Sequence, residues 1–534
     1  MTQMTHTTHM AHAKPDDTRD ARDTHDRGGG AAAVKRMFHA PDPGLLRLRV
    51  STRAVIGIGC AVAVAELCGM SLTASIVGGL AALLALFTVQ DPTVPRQALT
   101  TVLLPVAGFP VLALATLLHD HPLPRDLAFL AVVLAGAYAR RWGPRGHALG
   151  TFGFMMFFVT QFLHAVPGQL PELYGSVAIA TAVSALVRFG LWRIERRTPP
   201  PVGPAPLTGL GFARPTTRQA FQVTAACAFA LAIGQVLSED RWYWAVGAAW
   251  WIFVNTASRG ETLVRGFRRV LGTVVGIAAG FLVAIPLDGA PVPTAALVAV
   301  CVFGIFYTAG PSYSWMMFFV TVMAGLLYGL LGVLHPGLLV LRVQETAVGA
   351  IGAALAVAVV LPVTTHAATD AWIQRALHSV RVCTGEAARR LAGEAHADPS
   401  PHVAELELLL GRVRLSLAPL VHPLSPVRAR KARARQVLAL LDDCAREVRG
   451  LAGIAADAEA SHDARLTAAC WRVERAVEAL VAPRNASSGA QNAPADEHAP
   501  DVTALVHLHA IERALAQLAV PLGGQARPSS VSDC

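Results

Sequence analysis

"AVIGIGCAVAVAELCGMSLTASIVGGLAALLALFTV" (residues 54–89) shows neither the period-two alternation of a strand nor a polar face wide enough to meet water. A helix that is apolar all round is either sealed in a large core or spans a membrane, and a span takes about 17–25 residues. Similar runs follow one another to about residue 362, and none carries the polar outer face that a soluble core needs. The whole chain of 534 residues is 53% hydrophobic and only 15% charged, against about 25% charged for an ordinary globular domain. Its charges gather before and after the apolar zone. The composition predicts an all-α, polytopic membrane protein.

Breakers and charges divide the zone into twelve runs, at about 53–69, 72–90, 98–118, 124–140, 147–166, 172–192, 219–237, 242–257, 270–287, 292–309, 313–333 and 338–362. The segment 193–217, "RIERRTPPPVGPAPLTGLGFARPTT", is too rich in Pro and Arg to cross and reads as a linker between two groups of six. The expected domains are therefore a disordered tail (1–51), a first membrane repeat (52–192), the linker (193–217), a second membrane repeat (218–363), a helical domain (364–483) and a final linker, short helix and tail (484–534). Loops on one side hold thirteen Arg, among them Arg96, Arg140, Arg141, Arg145, Arg259, Arg265, Arg268 and Arg269. The other side has only Arg125, Arg241 and Arg342. The basic side carries both termini, which places them in the cytoplasm.

An internal duplication accounts for a second feature. "MMFFVT" occurs at 155–160 and again at 316–321, in the fifth run of each group, and "PRQALTTVLLPVAG" (95–108) lies over "FRRVLGTVVGIAAG" (267–280). Two units of six runs enter the membrane in the same sense, so the repeat predicts a pseudo-two-fold axis along the membrane normal. Met155, Phe157, Met316 and Phe318 either pack the helices or line a site for apolar and aromatic solutes; Met at adaptable surfaces has a physical basis.

Polar residues at membrane depth are few, and each counts. Arg342 and Glu345 lie one turn apart in the last run, where they form either a static pair or a proton-exchanging carboxylate beside a substrate-binding Arg. Glu66, near the outer end of the first run, reaches the headgroups or joins Glu345 in proton coupling. Arg188 is expected to snorkel. Gln161 and Asn255 can hydrogen-bond between helices, Trp242, Tyr243 and Trp244 suit an aromatic belt, and Trp250 and Trp251 sit deeper, for packing or for stacking on an aromatic acid. Arg268 and Arg269 either fix topology by snorkelling or gather an anion and hold its carboxylate. Gly272, Gly276 and Gly280 form a small-residue ridge for close helix approach.

"GFRRVLGTVVGIAAG" (266–280), with "WAVGAAWWIFVNTASRGETLVRGF" before it, resembles the fusaric-acid-resistance (FUSC) and aromatic-acid-exporter family of integral membrane proteins. The resemblance covers the second group and, more weakly, the first, where Thr100 and Leu104 stand at the places of Gly272 and Gly276. It implies proton-coupled efflux of small organic or aromatic carboxylic acids or toxic compounds. A remoter similarity to malate channels leaves a passive anion channel open, and a non-transporting membrane scaffold is the alternative of another class. The implied partners are a small organic anion, the lipid bilayer and further copies of the chain, with no nucleic acid.

The remaining segments add little chemistry. His6, His9 and His12 lie in a polar, unfolded tail, and no metal or cofactor site is expected. No nucleotide loop or catalytic constellation occurs, so no enzyme is expected. From about 366, four amphipathic stretches predict an antiparallel helical domain, followed by one more helix at 501–519. "RARKARAR" (428–435) faces anionic lipid or solvent.

Overall fold

The computed structural model describes residues 45–190, 211, 214–254, 256, 258–287, 290–361, 365–394, 396–421, 428–456, 464–481 and 503–523. His6, His9, His12, Asn255 and most of the linkers 193–217 and 484–500 lie outside them. Among the described residues the fold is all-helical. The membrane zone contains α1 (Leu46–Leu67), α2 (Leu72–Thr88), α3 (Val94–Leu117), α4 (Pro122–Ala139), α5 (Gly143–Leu163), α6 (Leu170–Gly190), α7 (Pro215–Leu237), α8 (Tyr243–Phe253), α9 (Arg259–Leu287), α10 (Pro291–Thr308), α11 (Tyr313–Leu330) and α12 (Pro336–Val359).

The zone holds twelve helices of unequal length. Nine stretches among the described residues are long and apolar enough to cross a membrane. One of them, Pro122–Leu163, runs 42 residues and holds both α4 and α5. These two reverse at Gly143, whose φ of 78° is open to glycine at no steric cost, and then pack on each other. Helix α2, at 17 residues, and α8, at 11, fall short. At about 1.5 Å per residue α8 is only about 16 Å long, roughly half of a ~30 Å hydrocarbon core.

Two starts also move. Helix α1 begins at Leu46, inside the expected tail, and α9 begins at Arg259, so Arg265, Arg268 and Arg269 stand on helix where a loop was expected. The sequence "RGETLVRGFRRV" is made largely of good helix formers, and the Ser258 hydroxyl accepts from the Glu261 N–H to cap it.

The chain forms two compact units, Met1–Ile56 with Gly272–Leu334, and Gly57–Leu271 with His335–Cys534, which cut across the two groups of six. In the first unit α10 packs on α11, with Gly304 against the Phe319 ring. Gly272, Gly276 and Gly280 lie along α11. A Cβ on Gly276 would sit 2.8 Å from Thr321 Cβ and 2.9 Å from the Phe318 oxygen, and one on Gly280 would sit 3.4 Å from Val322 Cα. Substitution at Gly272 or Gly276 would force the two helices apart, whereas a methyl at Gly280 would sit at ordinary van der Waals distance.

In the second unit α2 packs on α6, α3 on α5, α4 on α5 and α7, and α12 on both α7 and α8. Close approach is set by glycine. A Cβ on Gly136 would lie 2.8 Å from the Gly150 oxygen, and one on Gly349 would lie 2.6 Å from the Ala245 oxygen. The same unit holds α13 (Thr365–Leu391), α14 (Ser400–Val421), α15 (Arg428–Ala456), α16 (Ala464–Val481) and α17 (Thr503–Gly523). Their apolar stripes close on one core that includes Leu377, Val413, Leu441, Val473 and Leu508. The last helix, set apart in the sequence by the linker 484–500, shares this core through Leu505, Ile511, Leu515 and Leu518. Burial, with Glu447 and Asp443 nearby, pushes the Cys444 thiol up to about 12, so it packs there as a neutral apolar group.

Candidate functional site

Two helices of the membrane zone are short, α2 with 17 residues and α8 with 11. Each ends on a guanidinium. Arg188, from the last turn of α6, donates to the carbonyls of Val89 (2.9 Å), Ala85 (2.8 Å) and Leu86 (3.3 Å). The expectation that Arg188 snorkels is thereby corrected. It is buried, because the open carbonyls at the C-terminus of α2 and the negative end of that helix offer it more than the headgroups do.

At the C-terminus of α8 the Phe253 carbonyl plays the same part. It accepts from Arg140 Nη1 at 3.0 Å and from Gln219 Nε2 at 3.3 Å, and Gln219 also donates to the Thr256 oxygen at 2.5 Å. The Arg140 guanidinium carbon stands 5.1 Å from the Trp250 ring centroid.

A second cation lies at the N-terminal end of α8. Arg342 of α12 is buried, with its guanidinium carbon 3.5 Å from the Trp244 ring centroid. One turn on, Glu345 is 0% exposed, and neither carboxylate oxygen accepts a hydrogen bond. Arg342 and Arg241 are the cations whose field reaches it. Glu345, Gly349 and Gly352 follow at i, i+4 and i+7, on one stripe of α12. Gly349 meets the α8 backbone and Gly352 the Ala226 oxygen and Phe229 ring of α7, so Glu345 is carried on the same face. The expected pair is thus modified: Glu345 and Arg342 are neighbours in one field and are not joined by a hydrogen bond.

Between the two ends runs a buried aromatic column. Arg125 lies 4.7 Å from the Trp242 ring, which meets Phe129 edge-on at 5.7 Å. Phe129 stacks on Phe157 at 4.5 Å and on Phe154 at 5.5 Å, and Phe154 stacks on Trp250 at 4.3 Å. The first MMFFVT run belongs to this column, with Met155 and Phe157 both buried. In the second run Met316 is buried and Phe318 half-buried, edge-on to Trp315 at 5.3 Å.

The other residues singled out by sequence fall in different places. Arg269 is buried, Arg268 and Trp251 are half-buried, and Glu66 is exposed in the last turn of α1. Gln161 donates to the Ala115 carbonyl at 3.3 Å and ties α5 to α3. Sequence reasoning passed over Arg140, counting it only as a loop charge, and over the Gly136–Gly150 crossing. The signal for both was in "AGAYARRWGPRGHALG" (135–150), where a pair of Arg breaks a glycine-spaced apolar run.

Nine stretches among the described residues long and apolar enough to cross a membrane, with the family match that follows, mark a multi-pass membrane protein of transporter type. Residues 227–359, from within α7 to the end of α12, match the family described as fusaric acid resistance protein-like. The matched segment is about a quarter of the chain and contains α8, Arg268, Arg269, Arg342 and Glu345, while Arg140 lies outside it. No curated protein and no solved structure gives a significant match.

Proposed function

We propose that the protein exports small organic or aromatic carboxylic acids across a bacterial inner membrane, driven by the proton gradient. The observation that carries this reading is Glu345, a fully buried carboxylate with no hydrogen bond beside a buried Arg. A carboxylate in that setting is costly, and one at membrane depth is the group a proton-coupled carrier uses. It takes up and gives back a proton while Arg342 holds the substrate anion. In this reading Arg268 and Arg269 draw the acid from the cytoplasm, Trp251 and the two MMFFVT runs (Met155, Phe157, Met316, Phe318) guide its apolar body, and Glu66 is a secondary proton site. The family match and the small number of charged groups at depth support the reading.

The test is a deletion strain grown on a panel of aromatic acids and antibiotics, followed by export of the responsive compound with and without an imposed pH gradient. Sensitivity to an aromatic acid, with gradient-dependent export, is expected. Unaltered growth on every compound retires the reading in favour of a scaffold, and export indifferent to the gradient favours a channel.

Orientation has its own test in a native thiol. Cys68 is exposed in the turn between α1 and α2, and this turn faces outward if both termini are cytoplasmic. In a variant retaining only that cysteine, a membrane-impermeant maleimide is expected to label intact spheroplasts. Labelling only after lysis would invert the topology.

A further inference from the structure

We infer that the free edge of Arg140 is a docking point for the carboxylate of a small organic acid, beside the C-terminal end of α8. A guanidinium presents two parallel N–H groups along its Nε–Nη2 edge, and this fork matches the two oxygens of a carboxylate. In Arg140 the remaining nitrogen, Nη1, is the one occupied, by the Phe253 carbonyl. Nε and Nη2 are both sealed from solvent and neither has an acceptor. The Trp250 ring lies 5.1 Å from the guanidinium carbon and is itself held by its stack on Phe154 at 4.3 Å. Trp250 Nε1, a second buried donor without an acceptor, belongs to the same cluster.

The surrounding charge points the same way. Arg265 lies within electrostatic reach of Arg140, and His147 and the Cys227 thiol lie nearby. Among the described residues no carboxylate pairs with Arg140. A buried cation left in this state is strongly unfavourable, and an anion brought to it relieves that cost. Arg188 shows what a guanidinium committed to a helix end does at the C-terminus of the other short helix. It donates to two carbonyls of α2 and to that of Val89 just past its end, whereas Arg140 gives α8 a single bond and keeps its fork open. The apolar side chains of Trp250, Ile252 and Phe253 around that end suit a ligand whose body is aromatic or aliphatic.

The inference builds on the organic-anion reading above, and binding measured apart from transport separates the two. The full-length protein in phosphatidylcholine nanodiscs is titrated with radiolabelled benzoate, alongside Arg140→Gln, Arg140→Lys, Trp250→Phe and, as a control at an exposed cation, Arg96→Gln. Benzoate affinity is expected to fall about tenfold or more in both Arg140 variants, because Lys keeps the charge but not the fork. Trp250→Phe should lose a smaller factor and Arg96→Gln none, with thermal midpoints confirming folded protein. If Arg140→Gln is not recovered folded, Arg140→Lys and Trp250→Phe decide.

Parent-like affinity in Arg140→Lys overturns the site, as does the absence of benzoate binding to the parent. Displacement of benzoate by chloride as readily as by unlabelled benzoate also overturns it, and so does displacement by phosphatidylglycerol, which would assign the fork to a lipid phosphate. Benzoate bound through Arg140 but never exported supports the site and retires the transporter reading alone. Export with unchanged affinity in Arg140→Lys retires the site alone.

Discussion

Replacing Gly150 by Val is expected to abolish accumulation of folded protein. A Cβ at this position would lie 2.7 Å from Gly136 Cα and closer still to the Gly136 oxygen, so the obstacle is backbone on both helices. A flexible side chain could swing aside; the main chain of α4 cannot. Overpacking against side chains typically costs about 1–3 kcal/mol, and a clash between two backbones exceeds that range. The α4–α5 hairpin would have to open, and with it the seat of Trp250, whose Cη2 lies only 3.1 Å from a Cβ placed on Gly136. Gly59 is the matched control, since a Cβ there meets nothing within 4 Å. Size-exclusion profiles and thermal midpoints of the detergent-solubilised variants check this: Gly59→Val should resemble the parent and Gly150→Val should give aggregate or no peak. A monodisperse Gly150→Val with the parent's midpoint would overturn the crossing.

The helices were legible wherever the pattern is local. Apolar runs bounded by Pro, Gly and Arg located the twelve helices of the membrane zone to within a few residues at most ends, and the 3.6-residue stripes located α13 to α17. Legibility failed where a neighbour decides. The Arg-rich stretch at 259–269 reads as loop because charge marks a membrane boundary, yet it is helical, since a boundary charge does not break a helix. The shortness of α8 was hidden because "YWAVGAAWWIFV" is apolar past the point where the backbone turns. Arg188 looked like a residue bound for the headgroups. Its actual partners are carbonyls about a hundred positions earlier in the chain, and no local pattern reports them. The same holds for the candidate site. Arg342 and Glu345 were visible as rare charges in a span, but the hydrogen-bond vacancy of Glu345 and the open fork of Arg140 exist only once α8 is packed against α5, α7 and α12.

Glu345→Gln is expected to cut gradient-driven export by about tenfold or more while leaving exchange down a substrate gradient near the parent's rate. The amide has the shape of the acid and fits the same place between α12 and α8, where Gly349 holds the backbones close. What it lacks is a proton to release. If the carboxylate couples transport to the gradient, the step lost is the one that the gradient drives, and the binding of the anion by Arg342 survives. Arg342→Gln should give the complementary result, raising the substrate concentration needed for half-maximal transport and leaving the gradient dependence in place. It removes the cation over Trp244 and leaves Glu345 able to titrate. Export from loaded vesicles, measured with and without an imposed pH gradient, separates the two. A passive channel predicts another pattern, in which Glu345→Gln changes conductance or anion selectivity equally in both conditions. Should both variants reach the membrane in parental amounts and transport at parental rates, Glu345 and Arg342 are packing residues. The proton path would then have to run through the polar groups at the other end of α8.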